Sequence, residues 1–114
     1  MLVAATVSAP AHAERWKELR AKPGVTYRID LDSVQWQGRI VRYRADIVTE
    51  VQGHRRHGTV TALIDCDAGK RKLLESEQYL PDGSARRETY PDRTWQPVIF
   101  LSEAPHHFLC LNQE

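Results

Sequence analysis

From Arg39 to Glu50 apolar and polar residues alternate: Val41, Tyr43, Ala45 and Ile47 take one side, Arg42, Arg44 and Asp46 the other. Successive side chains of a β-strand point to opposite faces, so this stretch predicts a strand with one packed face and one wet face. A strand wetted on one side belongs to an antiparallel sheet, because parallel sheets are covered on both faces. The run Thr59–Asp67 repeats the pattern. Val60, Ala62, Ile64 and Cys66 fall on one side, and Thr59, Thr61, Asp65 and Asp67 mostly on the other.

Further strands are expected around these two. Val25–Asp30 alternates cleanly, Asp32–Val34 reads as one helical turn opened by a short polar side chain, and Gln37–Gly38 turns the chain. Val51–Gly58 is polar and basic around two glycines and reads as a loop. Asp67–Lys70 reads as a tight hairpin connection. Arg71–Leu80 reads as a strand although Leu73–Glu77 has helical propensity, and Ala85–Tyr90 follows as another after the Pro81–Ser84 turn. Neighbouring strands joined by short turns pair as a meander. Near the C-terminus Ser102 reads as a helix N-cap with Glu103 in the first turn. Ala104, His107, Phe108 and Leu111 would share the buried face of that helix, with Cys110 on its flank.

The chain has 114 residues, the length of one domain, with a net charge of +1. That balance gives no global field to recruit nucleic acid or an anionic membrane. No apolar run approaches the length of a membrane span. Residues 1–13 carry no Asp, Glu, Lys or Arg and end Ala11-His12-Ala13, the small-x-small pattern of a signal-peptidase site. They are expected to be a signal-peptide remnant whose start lies upstream, leaving a mature domain over 14–114. Two cysteines, Cys66 and Cys110, in an exported chain of this size are expected to be bonded; in a reducing compartment they would be two buried thiols. Neither CxxC spacing nor a Cys/His zinc pattern is present, and no cysteine near residue 13 offers a lipid-anchor acceptor.

Five elements together resemble the surface-adhesin protein E-like domain family of bacteria. They are Trp16; Tyr27-Arg28-Ile29-Asp30-Leu31-Asp32-Ser33-Val34, similar to the family's Y-x-I-D-x-x-S-I/V element; Ile64-Asp65-Cys66 followed by Arg71 and Leu73; Trp95-Gln96-Pro97-Val98; and Cys110 after a short apolar helix. The resemblance implies an α+β, mainly β fold: one antiparallel sheet of about six strands, with a short C-terminal helix tied to it by a Cys66–Cys110 disulfide. It also implies export, to the periplasm or cell surface, and a partner among extracellular-matrix or envelope proteins. Trp16 and Trp95, at family-like positions, are expected in the core or over the disulfide.

The candidate contact residues are His54, Arg55, Arg56 and His57, the densest basic segment, with Arg42 and Arg44 on the wet face and Trp36 beside a turn. Such a set suits a protein or an acidic glycan. Lys70-Arg71-Lys72 and Arg86-Arg87 would extend the patch if their strands are adjacent, but fifteen acidic residues interrupt any stripe long enough for nucleic acid. His54 and His57, or His106, offer imidazoles for a second reading as a periplasmic haem or metal carrier. His106 and His107 point about 100° apart on a helix and would not chelate one ion. A third reading is a structural envelope accessory domain. No motif calls for a cofactor or a metal. No G-x-S-x-G element is present, and Asp65 and Asp67 beside Cys66 have no evident acid–base partner, so the chain is expected to be non-enzymatic.

Overall fold

A computed structural model describes residues 15–19, 22–91, 94–98 and 103–112. The expected signal segment and the Ser102 cap lie outside them. Among the described residues eight strands form one antiparallel sheet: β1 (Trp16–Leu19), β2 (Val25–Asp30), β3 (Gln35–Gln37), β4 (Ile40–Val51), β5 (His54–Asp65), β6 (Lys70–Tyr79), β7 (Ala85–Thr89) and β8 (Gln96–Pro97). The continuous path is β1-β2-β4-β5-β6-β7, six strands wide, and β3 and β8 pair with β4 and β6 at the other end of the sheet. Every strand thus lies beside a near neighbour in sequence, as a meander requires.

The alternation of β4 decides which face is buried. Val41, Tyr43 and Ala45 pair across to Ile64, Ala62 and Val60 of β5, and Ala45 and Ile47 to Ile29 and Tyr27 of β2. These side chains form the core with Leu19, Leu109 and Cys110. We call this the inner face and the opposite, polar one the outer face. The C-terminal segment covers part of the inner face as a short helix α1 (Glu103–His106) that continues into a wider π-helical turn, His107–Asn112. Its buried residues are Pro105, Leu109 and Cys110, while Leu111 is exposed. The expected face through His107 and Leu111 is therefore corrected. A π turn closes from i to i+5 and so shifts the buried stripe off the 3.6-residue period.

Cys66, just past the end of β5, is bonded to Cys110 with Cα atoms 5.5 Å apart. Closing a loop of 44 residues contributes roughly 3–4 kcal/mol in the chain-entropy account. Tyr27-to-Val34 has a structural job. Asp30 accepts the Asp32 amide and caps a single 3-10 turn, Leu31–Ser33. The Ser33 hydroxyl donates to the Asp30 carbonyl at 2.7 Å and accepts the Arg44 amide at 2.8 Å, tying the turn to β4.

The loop expected over Val51–Gly58 is not a loop. β4 and β5 pair over twelve residues each and are joined by Gln52–Gly53 alone. Both turn residues have positive φ, 52° and 80°, the type I′ geometry that matches strand twist. A long ladder outweighs the weak strand preference of His54-Arg55-Arg56-His57.

Candidate functional site

The outer face is built from the polar halves of the alternating strands. At its centre stands Asp46, buried although charged. Arg28 on one side donates from Nη2 to Asp46 Oδ2 at 2.6 Å, and His57 on the other donates from Nε2 to Oδ1 at 2.5 Å. Register explains this: β2 sets Arg28 directly opposite Asp46, and β5 sets His57 two residues along the adjoining ladder from Thr59, the residue opposite Asp46. The Arg28 guanidinium lies 5.3 Å from the Trp16 ring, and the His57 ring lies 4.8 Å from that of Tyr79. Trp16 is therefore half-buried on the outer face, not in the core as expected. It pairs in register with Asp30, and Glu18 with Arg28, which puts the polar sides together.

Toward the other end of the same face lies a cleft of about 410 Å³ lined by Gln35, Trp36, Gln37, Ile40, Arg42, Leu63 and Leu74. The β3–β4 hairpin brings Gln35 and Gln37 opposite Arg42 and Ile40, and β5 sets Leu63 opposite Arg42 on the other flank. β6 continues the row, Leu63 facing Lys72. Leu74 is the extra residue where the β5–β6 register shifts, a bulge that re-aims a side chain. Trp36 is 45% exposed and pairs with Val41 of the inner face. Alternation therefore turns its indole away from the Gln35 and Gln37 side chains.

The charges around this cleft do not cancel. Asp65 accepts the amides of Asp67 and Ala68 and caps the turn, Asp67 pairs with Arg39 at 3.1 Å, and Glu75 pairs with Arg87 at 2.7 Å. Asp46 is held by Arg28 and His57, while Asp65 meets backbone amides and, among the described residues, no cation. Arg42, Arg44 and Lys72 have no ion-pair partner among the described residues.

The expected basic cluster is divided by its strand. Arg55 and His57 face outward, Arg55 opposite Glu50, whereas His54 and Arg56 face inward. Arg56 lines a shallower groove of about 240 Å³ on the inner face with Ile47, Thr49, Gly58, Val60, Ser76 and Gln78 among its neighbours. His54 and His57 stand roughly 10 Å apart along the strand on opposite faces, which removes their joint chelation of one ion. Among the described residues no three His, Cys, Asp or Glu side chains form a metal-holding group. Lys70-Arg71-Lys72 divides the same way: Arg71 lies opposite Ile64, and its Nε is buried without a hydrogen-bond partner. His107 is exposed and His106 half-buried on the helix.

Of the residues named from sequence, the structure brings Arg42 and Trp36 to one cleft and leaves Arg44 beside it. The sequence reading missed Asp46, Arg28 and Tyr79 as members of a cluster, and also Leu63 and Leu74, and named Lys72 only as part of an extension of the basic patch. An aliphatic residue at a wet-face position, Leu63 between Ala62 and Ile64, was the available signal for the two leucines. Compared with family models, with curated proteins and with solved structures, the chain matches none.

Proposed function

We propose that this chain is an exported, non-catalytic binding domain that contacts a protein or acidic-glycan partner through the Arg42 cleft of its outer face. One observation carries the reading. A cleft with Ile40, Leu63 and Leu74 in its lining is flanked by Arg42, with Arg44 and Lys72 next to it by register and without ion-pair partners among the described residues, while Asp67 and Glu75 are ion-paired. Unpaired cations beside an apolar hollow favour an anionic partner and steer its approach. A concave site that sets apolar surface beside placed polar groups is the usual form of a binding site. The disulfide agrees with an oxidising compartment. The resemblance to surface-adhesin protein E-like domains points to the same class of role. The Asp46 cluster is a carboxylate tied between Arg28 and His57 across neighbouring strands, an arrangement that serves as scaffold for the outer face.

Retention of the full chain on immobilised polyglutamate and dextran sulfate tests this. The double variant Arg42→Glu/Lys72→Glu should elute at clearly lower salt than Arg56→Glu/Arg86→Glu, which changes the same charge on the inner face. Equal losses would reduce the effect to net charge and refute the cleft.

A further inference from the structure

We infer that two copies of this chain pair edge to edge through β7, in a single register that sets Arg87 of each copy at the two-fold axis. β7 pairs with β6 on one side, and no described strand pairs with its other side. All five of its residues, Ala85–Thr89, are exposed. The hydrogen bonds just beyond its ends show which backbone groups are spare. Leu80 donates its amide to the Ser84 carbonyl at 2.8 Å, and Tyr90 donates to the Leu74 carbonyl at 2.9 Å. Hydrogen-bonded pairs alternate along an antiparallel ladder. Arg86 and Glu88 therefore direct their N–H and C=O at β6, while Ala85, Arg87 and Thr89 turn theirs outward. Such a row is a template for another strand. Proline and bulges are the usual ways to blunt it; this run holds no proline, and its register with β6 is unbroken from Ala85 to Thr89.

Charge selects the occupant. β7 reads Ala-Arg-Arg-Glu-Thr, and a partner strand of one charge sign would oppose either its arginines or its glutamate. A second copy answers both. Outward-directed residues must meet one another across a new antiparallel ladder, so self-pairing over at least three residues a side can centre only on Arg86, Arg87 or Glu88. Centring on Arg86 or on Glu88 sets that residue against itself at the closer, non-hydrogen-bonded spacing, where like charges repel. Centring on Arg87 joins all five residues. Ala85 then faces Thr89, and Arg86 faces Glu88 twice, at the closer spacing. The two Arg87 side chains meet at the wider spacing, each already paired with Glu75 at 2.7 Å and with Glu77 directly opposite. Arg86, which has no ion-pair partner among the described residues, gains one. Glu88 accepts the Tyr90 hydroxyl through Oε1 and keeps Oε2 for the arginine. Five residues a side make a small contact, which places this dimer among weak, reversible ones. No residue lining the Arg42 cleft belongs to β7, so the inference stands apart from the function proposed above.

Sedimentation equilibrium of the full chain, carried to millimolar concentration, tests this. A reversible dimer is expected. Arg86→Glu and Glu88→Arg each convert both cross-axis pairs to like charges and should weaken the dimer roughly fivefold or more. An equimolar mixture of the two variants recreates both pairs in a heterodimer and should associate about as well as the original chain. The double variant Arg86→Glu/Glu88→Arg should do the same with itself. All these positions are exposed, and unchanged thermal midpoints at micromolar dilution verify folding. A chain that stays monomeric at every concentration overturns the inference. A dimer that neither reversal weakens lies on another surface and overturns it too. Weakening that neither the mixture nor the double variant restores reduces the effect to net charge and overturns the register.

Discussion

Asp46 shows most directly how single residues set this molecule's polar face. Asp46 is 5% exposed in the middle of a sheet, and the hydration its carboxylate gives up is offset because Arg28 and His57 each donate to a separate oxygen. Asp46→Ala leaves both donors without their acceptor beside an empty site. The expected loss is about 1–3 kcal/mol, kept modest because Arg28 and His57 are both more than a third exposed and regain water. A shift of the urea midpoint at unchanged slope measures it. Tyr27 and Tyr43 set a second residue-scale limit. Burial raises the Tyr27 phenol well above its ordinary value of 10.0, and its hydroxyl contact with Tyr43 adds to the rise, while Arg71 opposes it. Burial likewise raises Tyr43, with Tyr27 and Arg71 opposing. The folded chain therefore holds two protons that the unfolded chain gives up above pH 10. Stability from this source is complete below pH 10 and falls as pH rises beyond it. Absorbance at 295 nm should show two tyrosines ionising together with unfolding; ionisation of all four in the folded state would contradict the burial.

At the scale of elements, the β5–β6 contact depends on Gly58. A Cβ there would meet the Glu77 carbonyl oxygen at 2.7 Å, backbone that cannot swing aside. Gly58→Ala should push the two strands apart and cost about 1–3 kcal/mol, read as a lower thermal or urea midpoint. From sequence, Gly53 and Gly58 looked like matching loop residues, although one turns the chain and the other lies in a central strand. What was legible, and what was not, follows from range. Period-2 alternation is a property of one strand, so β2, β4, the second part of β5 from Thr59 and their packed faces could be read directly. The basic run His54–His57 has no alternation of its own and takes strand form from pairing with Thr49–Val51 and its neighbours. The clue was the short Gln52–Gly53 turn with equal lengths of chain on either side. Arg42 was legible as a wet-face cation, but the cleft was not. It needs the register of three strands and a bulge at Leu74, which no local pattern encodes. The helix face failed similarly, because 3.6-residue counting does not apply to a π turn.

At the scale of the whole molecule, the sheet divides the work between its faces. The inner one carries the core and the segment stapled by Cys66–Cys110, and the outer one carries the Asp46 network at its centre and the Arg42 cleft toward one end. Stability and contact are thus assigned to opposite sides of the same strands. Surface changes in the cleft should leave the fold intact, whereas changes at Tyr43 or Ile64 should not. The most direct measurement is an amide chemical-shift map of the isotope-labelled full chain on addition of short polyglutamate. The largest shifts should fall on Gln35–Gln37, Ile40–Arg42, Leu63 and Lys72–Leu74, with residues of the inner-face groove such as Arg56 and Gln78 little moved. Shifts centred on Arg56, on the helix, or spread evenly over exposed basic residues would contradict the assignment of binding to the outer cleft.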